Sequence, residues 1–187
     1  MDEQTFSALF EATRGALLAY LRRTSGDETL AEDLFQESYI RLLSHPPLIL
    51  ESGTAMTGDL PVTAVRRWLF TTATRLLRDH WRRDRWHRWI PWVSSDEDED
   101  DREIQYASDA PLPDRTLSGH EAVAAGFARL SPRQRSLLWL ALVEGLDHAE
   151  LARLFDVSRA SVRVLLHRAR TRMGDSLRNL GVEGSTW

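Results

Sequence analysis

The amino-acid sequence predicts an all-α fold of two small helical domains joined by an acidic linker, with a helix-turn-helix in the C-terminal domain. Three observations predict it. Apolar residues recur at helical spacing along most of the chain, and no stretch alternates as a strand does. Helix-starting pairs, Ser131 with Gln134 and Asp147 with Glu150, open successive segments of the second half. Between the halves, "SSDEDEDDREIQYASDAPLPDRTLSG" is acidic, proline-bearing and poor in apolar periodicity, which is the composition of a tether. The domain limits expected from these signals are residues 1–92, 93–118 and 119–187.

Two helices are expected from Glu3 to Leu43. Phe6, Leu9, Phe10, Leu17, Leu18, Tyr20 and Leu21 share helical spacing, and after the turn "TSGDE" so do Leu30, Leu34, Tyr39 and Leu42. Asp27 or Thr29 caps the second helix, and Glu28, Glu32 and Asp33 put negative charge at the positive end of its dipole. Ser44 to Thr63, "SHPPLILESGTAMTGDLPVT", mixes proline and glycine without a period and reads as a loop inserted at the surface. A long helix follows from about Pro61 to Trp89.

In that long helix Leu69, Ala73 and Leu76 point to a core, while Arg75, Arg78, Arg82 and Arg85 recur at i, i+3, i+7 and i+10 and form a basic stripe. Tryptophans stand among the arginines. Guanidinium groups neutralise phosphate and flat rings stack on unpaired bases, so the mixture suits the holding of unpaired bases. Trp68 and Trp81, each taken alone, read more simply as core.

The second half restarts at "LSPRQR", where Ser131 caps a helix, Pro132 takes its first position and Gln134 completes a capping box. Three helices then follow in quick succession. In "LDHAELARLFDVSRASVRVLLHRARTRM", Asp147 and Ser158 cap the last two, and "FDVS" between them has the length of a helix-turn-helix turn. Asp156 stands in that turn where glycine is common, and aspartate tolerates a left-handed backbone. Val162, Leu165, Leu166, Ala169 and Met173 are expected to bury the last helix against Leu151, Ala152 and Phe155. Arg159, Arg163, Val164, His167 and Arg170 take its opposite face. A basic face starting at the N-terminus of the second helix is what a major-groove reader presents, and arginine there forks onto guanine.

Composition narrows the function further. The 187 residues are 42% hydrophobic, enough for ordinary cores, and the formal net charge of −4 does not by itself mark a nucleic-acid binder. All 24 basic residues are arginine, the cation that stacks on rings and forks onto phosphate. The absence of cysteine excludes a disulfide framework, a thiolate nucleophile and a cysteine-ligated metal. No apolar run reaches the roughly 18 to 20 residues of a membrane span, and the start "MDEQTFSALFEATRG" has no basic leader, so no membrane insertion and a cytoplasmic location are expected. His80, Asp84 and His87, with Asp79 beside them, share helical spacing, yet their arginine neighbours repel a cation and no glycine-rich phosphate loop is present. Neither an enzyme nor a cofactor is expected.

Taken in order along the chain, these segments resemble the extracytoplasmic-function (ECF) group of bacterial sigma factors, the small promoter-recognition subunits of RNA polymerase. "AEDLFQESYIRLL", Ala31 to Leu43, is similar to their region 2.1 to 2.2, and "RRWLFTTATRLLRDHWRR", Arg66 to Arg83, to region 2.3 to 2.4. "LSPRQRSLLWLALVEGLDHAELARLFDVSRASVRVLLHRAR", Leu130 to Arg170, is similar to region 4. The resemblance implies that Asp33, Gln36 and Glu37 dock to the clamp helices of the polymerase's largest subunit. It implies that Arg78, Asp79, His80, Arg82 and Arg83, with Arg75, lie beside the minus-ten element. Arg163, Val164 and His167, with Arg159 and Arg170, would face the minus-thirty-five element, where Arg133 and Arg135 touch phosphate. In this family the acidic tether runs through the polymerase's channels, and an anti-sigma factor commonly holds the protein inactive. The chain departs from the family at Arg75, where an asparagine is usual, and in the length of the Ser44 to Thr63 loop. The competing expectation is a free-standing helix-turn-helix regulator that never docks to polymerase.

Overall fold

The computed structural model describes residues 3–47, 59–88 and 118–181. Every regular element among them is a helix: α1 (Glu3–Ser25), α2 (Glu28–Ser44), α3 (Asp59–Arg88), α4 (Gly119–Ala128), α5 (Pro132–Leu142), α6 (His148–Phe155) and α7 (Arg159–Asn179). The chain divides into two compact units, Met1–Asp84 and Arg85–Trp187. The acid run at 96–101 lies outside the described residues.

In the first unit α1 turns into α2 on Gly26, whose φ of 72° is left-handed and whose N–H reaches the Arg22 carbonyl at 3.1 Å. Asp27, not Thr29, is the cap of α2: its carboxylate accepts the Leu30 N–H at 3.0 Å. So short a turn sets the two helices antiparallel. Leu9, Leu17 and Leu21 of α1, Ala31, Leu34 and Leu42 of α2, and Val65, Leu69, Phe70, Ala73, Leu76 and Leu77 of α3 are buried, which matches the core expected for the long helix. Phe6, Phe10, Phe35 and Tyr39 form an aromatic cluster between α1 and α2, edge-on across the two helices with Phe10 and Tyr39 centroids 5.0 Å apart, and stacked between Phe6 and Phe10.

Two buried hydroxyl relays tie these helices without orphaning a polar atom. Thr13 gives its one proton to the Leu9 carbonyl at 2.6 Å, so the Tyr39 hydroxyl, 2.7 Å away, donates to Thr13. Thr74 likewise donates to the Phe70 carbonyl at 2.7 Å, and the Tyr20 hydroxyl donates to Thr74 at 2.7 Å, tying α1 to α3. Burial pushes the Tyr39 phenol above its usual range, against smaller opposing effects of Thr13 and Arg14, so it stays a neutral donor.

The long helix begins at Asp59 rather than Pro61, and Ser44 closes α2, so the expected loop is shorter at both ends. Proline costs little in a first turn, where no intrahelical N–H is needed.

In the second unit α5, α6 and α7 pack on one another and α4 packs on α7. Three starts carry complete capping boxes: Ser118 with Glu121, Ser131 with Gln134, and Asp147 with Glu150. α4 is a helix the sequence reading passed over. At Gly126 a Cβ would stand 3.3 Å from Leu177 Cδ2 and 3.4 Å from Met173 Sδ, so glycine lets α4 lie close on α7. Val162, Leu165, Leu166 and Ala169 are buried as expected, whereas Met173 is half-buried at the rim beside Gly126. The residues of α6 under them are Leu151 and Leu154; Ala152 and Phe155, expected there, flank the contact half-buried. In so short a helix the i, i+3 pair faces its neighbour, and the next phase falls at the edge.

Candidate nucleic-acid interface

The geometry of α7 is set at its entry. Asp156 adopts φ 57° and ψ 49°, the left-handed conformation anticipated for it, and ends α6. The Val157 N–H then returns to the Ala152 carbonyl at 3.0 Å, the bond that closes a helix on such a residue. Ser158 caps α7 by accepting the Ser161 N–H at 2.9 Å. Helix, three-residue turn and helix make a helix-turn-helix.

On that scaffold Arg159, Arg163, Val164, His167 and Arg170 are all exposed, opposite the buried face of α7. Asp147, at the start of α6, is held below its ordinary value of 3.8, first by the N–H of Glu150 and then by that of Ala149, with Arg159 and Arg153 adding positive potential. Arg133 and Arg135 sit half-buried in the first turns of α5, and Arg135 Nε donates to the Leu130 carbonyl at 2.9 Å. Part of the Arg135 fork is committed to holding the entry of α5, which its place in the sequence does not reveal.

In the first unit Arg75, Asp79, Arg82 and Arg83 are exposed on α3, and Arg78 and His80 are half-buried beside them. Trp68 and Trp81 are also half-buried, so neither is a fully enclosed core residue. The Arg66 guanidinium stands 5.2 Å from the centroid of the Phe70 ring, a cation–π contact on the same helix. The side chains of Arg85 and His87 lie outside the described residues.

On α2, Asp33 and Gln36 are exposed and Glu37 is half-buried, its carboxylate 2.8 Å from Arg41 Nε. Two residues of the same stripe were missed: Ile40 and Leu43, which leave 55% and 53% of their surface in water. Helical phase carries the signal, because Ile40 and Leu43 fall at i+7 and i+10 from Asp33, away from Leu34, Ser38 and Leu42.

Comparison with known proteins gives this geometry a family. Residues 120–173, from α4 into α7, match the model of sigma-70, region 4. Over 178 residues the chain is 30% identical to the ECF RNA polymerase sigma factor SigL of Mycobacterium tuberculosis, covering 94% of this chain and 90% of that protein. The chain belongs to the ECF RNA polymerase sigma factors. SigX of Bacillus subtilis, also an ECF sigma factor, is 27% identical over 169 residues, covering 89% of this chain and 80% of its own. The fold agrees with that of the sigma factor RpoE from Bartonella quintana, seen in a co-crystal with the anti-sigma factor NepR. The TM-score is 0.59 at 17% identity, over 94% of this chain and 98% of that one. The helix-turn-helix of this sigma factor therefore falls largely within the segment matched to region 4, with α7 as its second helix. No helix among the described residues is long and apolar enough to cross a membrane.

Proposed function

We propose that the chain is the promoter-recognition subunit of a bacterial RNA polymerase: it docks to the core enzyme through its first unit and reads promoter DNA with both units. The chain itself makes and breaks no covalent bond; the polymerase does, and the chain acts in the cytoplasm. The observation that carries this reading is the exposed arginine-rich face of α7, set on a helix-turn-helix within the span matched to region 4.

The residue roles follow from exposure and chemistry. Arg163 and His167 reach base edges of the minus-thirty-five element, while Arg159 and Arg170 meet the flanking backbone. Arg133 and Arg135 position the domain on phosphate. Arg75, Arg78, Arg82 and Arg83, with Asp79 and His80, line the minus-ten DNA, where guanidinium groups offset phosphate as the strands part. Asp33, Gln36 and Glu37, joined by Ile40 and Leu43, form the surface for the clamp helices of the largest subunit, and an anti-sigma factor acts by covering that same stripe. Residues 93–118 serve as the acidic tether between the two domains.

Core RNA polymerase mixed with the purified chain is expected to retain it stoichiometrically and to start transcripts at discrete sites on genomic DNA. Specific duplex binding without copurification, and no new transcripts, would instead identify a free-standing regulator. That alternative leaves the apolar stripe of α2 without a task.

A further inference from the structure

The exposed face of α7 is not uniformly basic. At about 100° per residue, Arg159, Arg163 and Arg170 fall within an arc of about 40°, and Ala160, Val164 and Thr171 within another of about 40°, with His167 between them. All seven are exposed. Val164 keeps 49% of its surface in water and is the one large apolar side chain exposed on this helix. A single exposed valine is ordinary on a protein surface. This one lies beside a rail of arginines, on the helix that enters the groove, in a residue type that α-helices do not favour. Neither packing nor helix propensity accounts for it. The base edges of the major groove carry one methyl group, the C5 methyl of thymine; the other features that tell the base pairs apart there are hydrogen-bond donors and acceptors.

We propose that Val164, with the Ala160 methyl one turn before it, recognises a thymine methyl of the minus-thirty-five duplex, next to the base read by Arg163. This rests on the assignment of α7 as the groove-reading helix and adds a specificity to it. The arginine rail supplies affinity and hydrogen bonding on one side of the groove, and Val164 excludes bases that lack a methyl on the other. Cytosine carries only a hydrogen at C5, so the isopropyl group finds no methyl to bury against there.

The test uses the full chain, both free and assembled with core RNA polymerase. Its preferred duplex is selected from a randomised pool, and each thymine is then replaced by deoxyuridine, which removes only the methyl. At one thymine the replacement is expected to weaken binding about fourfold, the factor for losing the burial of one methyl-sized group. Val164→Ala should bind the thymine and deoxyuridine duplexes equally, whereas Arg163→Ala, though weaker on both, should still prefer thymine. Val164 is exposed and alanine is the better helix former, so its truncation should not lower the melting temperature, and a lowered one counts against the proposal. If every thymine is replaceable, if none is selected, or if the penalty persists in Val164→Ala, the thymine assignment is overturned while the groove-reading role stands. Absence of any sequence preference in either form overturns that role and the assignment with it.

Discussion

The apolar stripe on α2 gives the most direct test of the docking surface. Fully burying an isoleucine or leucine side chain is worth about 1.5–3 kcal/mol. Ile40 and Leu43 leave 55% and 53% of their surface in water in the free chain, so docking has about half of that left to gain at each. The pair together can therefore contribute about 1.5–3 kcal/mol. Truncating both to alanine keeps one methyl carbon apiece, and the loss falls to about 1–2 kcal/mol, or about five- to thirtyfold in Kd. Stability should change little, because the gain from alanine as the better helix former offsets the partial cover that each side chain has in the free chain. Titrating labelled Ile40→Ala/Leu43→Ala chain with core RNA polymerase, alongside a thermal melt of each chain, separates the two effects. An unchanged Kd with an intact melt refutes α2 as the docking surface. A fall in melting temperature that accounts for the lost affinity makes the stripe structural.

Arg163→Ala should cost about 1–3 kcal/mol at the preferred minus-thirty-five duplex and much less at a scrambled one; equal weakening on both would make Arg163 a phosphate contact. Arg82→Ala with Arg83→Ala should weaken promoter binding across sequences and lower the slope of log affinity against log salt by about one unit per lost contact, with polymerase docking retained. The Asp147 carboxylate titrates below its ordinary value of 3.8, so its stabilisation is fully present above that value and is lost as pH falls through the lower folded value. Asp147→Asn keeps a capping oxygen and removes the titration, so its melting temperature should depend less on pH in that acid range than that of the unaltered chain.

The elements legible in the sequence were those set by interactions a few residues long. The boxes at Ser131 and Asp147, the Ser158 cap and the left-handed Asp156 all join groups within one turn, and each stands where the residue types place it. α4 was not legible by periodicity, because "GHEAVAAGFA" offers small residues where a core stripe would show. Its place depends on Gly126 meeting Met173 and Leu177, a contact across the chain. Its start was readable all the same, in the spacing of Ser118 and Glu121. Within the interface, helical phase assigned the exposed residues of α7. The commitment of Arg135 to the Leu130 carbonyl needed the backbone path into α5 before it could be seen.

The stability devices and the recognition groups use different parts of the same helices, and this separation is what makes the interface testable. In the first unit the buried Tyr20–Thr74 and Tyr39–Thr13 relays satisfy their own hydroxyls, and Arg22 of α1 pairs with Glu28 and Glu32 of α2, so α1, α2 and α3 hold together without drawing on Asp33 and Gln36 of α2 or on Arg75 of α3. In the second unit α7 is fixed by its buried face and by the Ser158 cap, which leaves Arg163, Val164 and His167 pointing into water. Substitutions on these exposed faces should change binding with little change in folding. Arg135 and Arg159 do not separate in this way, because one holds the entry of α5 and the other adds to the field at Asp147. Loss of DNA affinity in their variants has to be read together with a melting curve, whereas at Arg163 a binding measurement on two duplexes is enough.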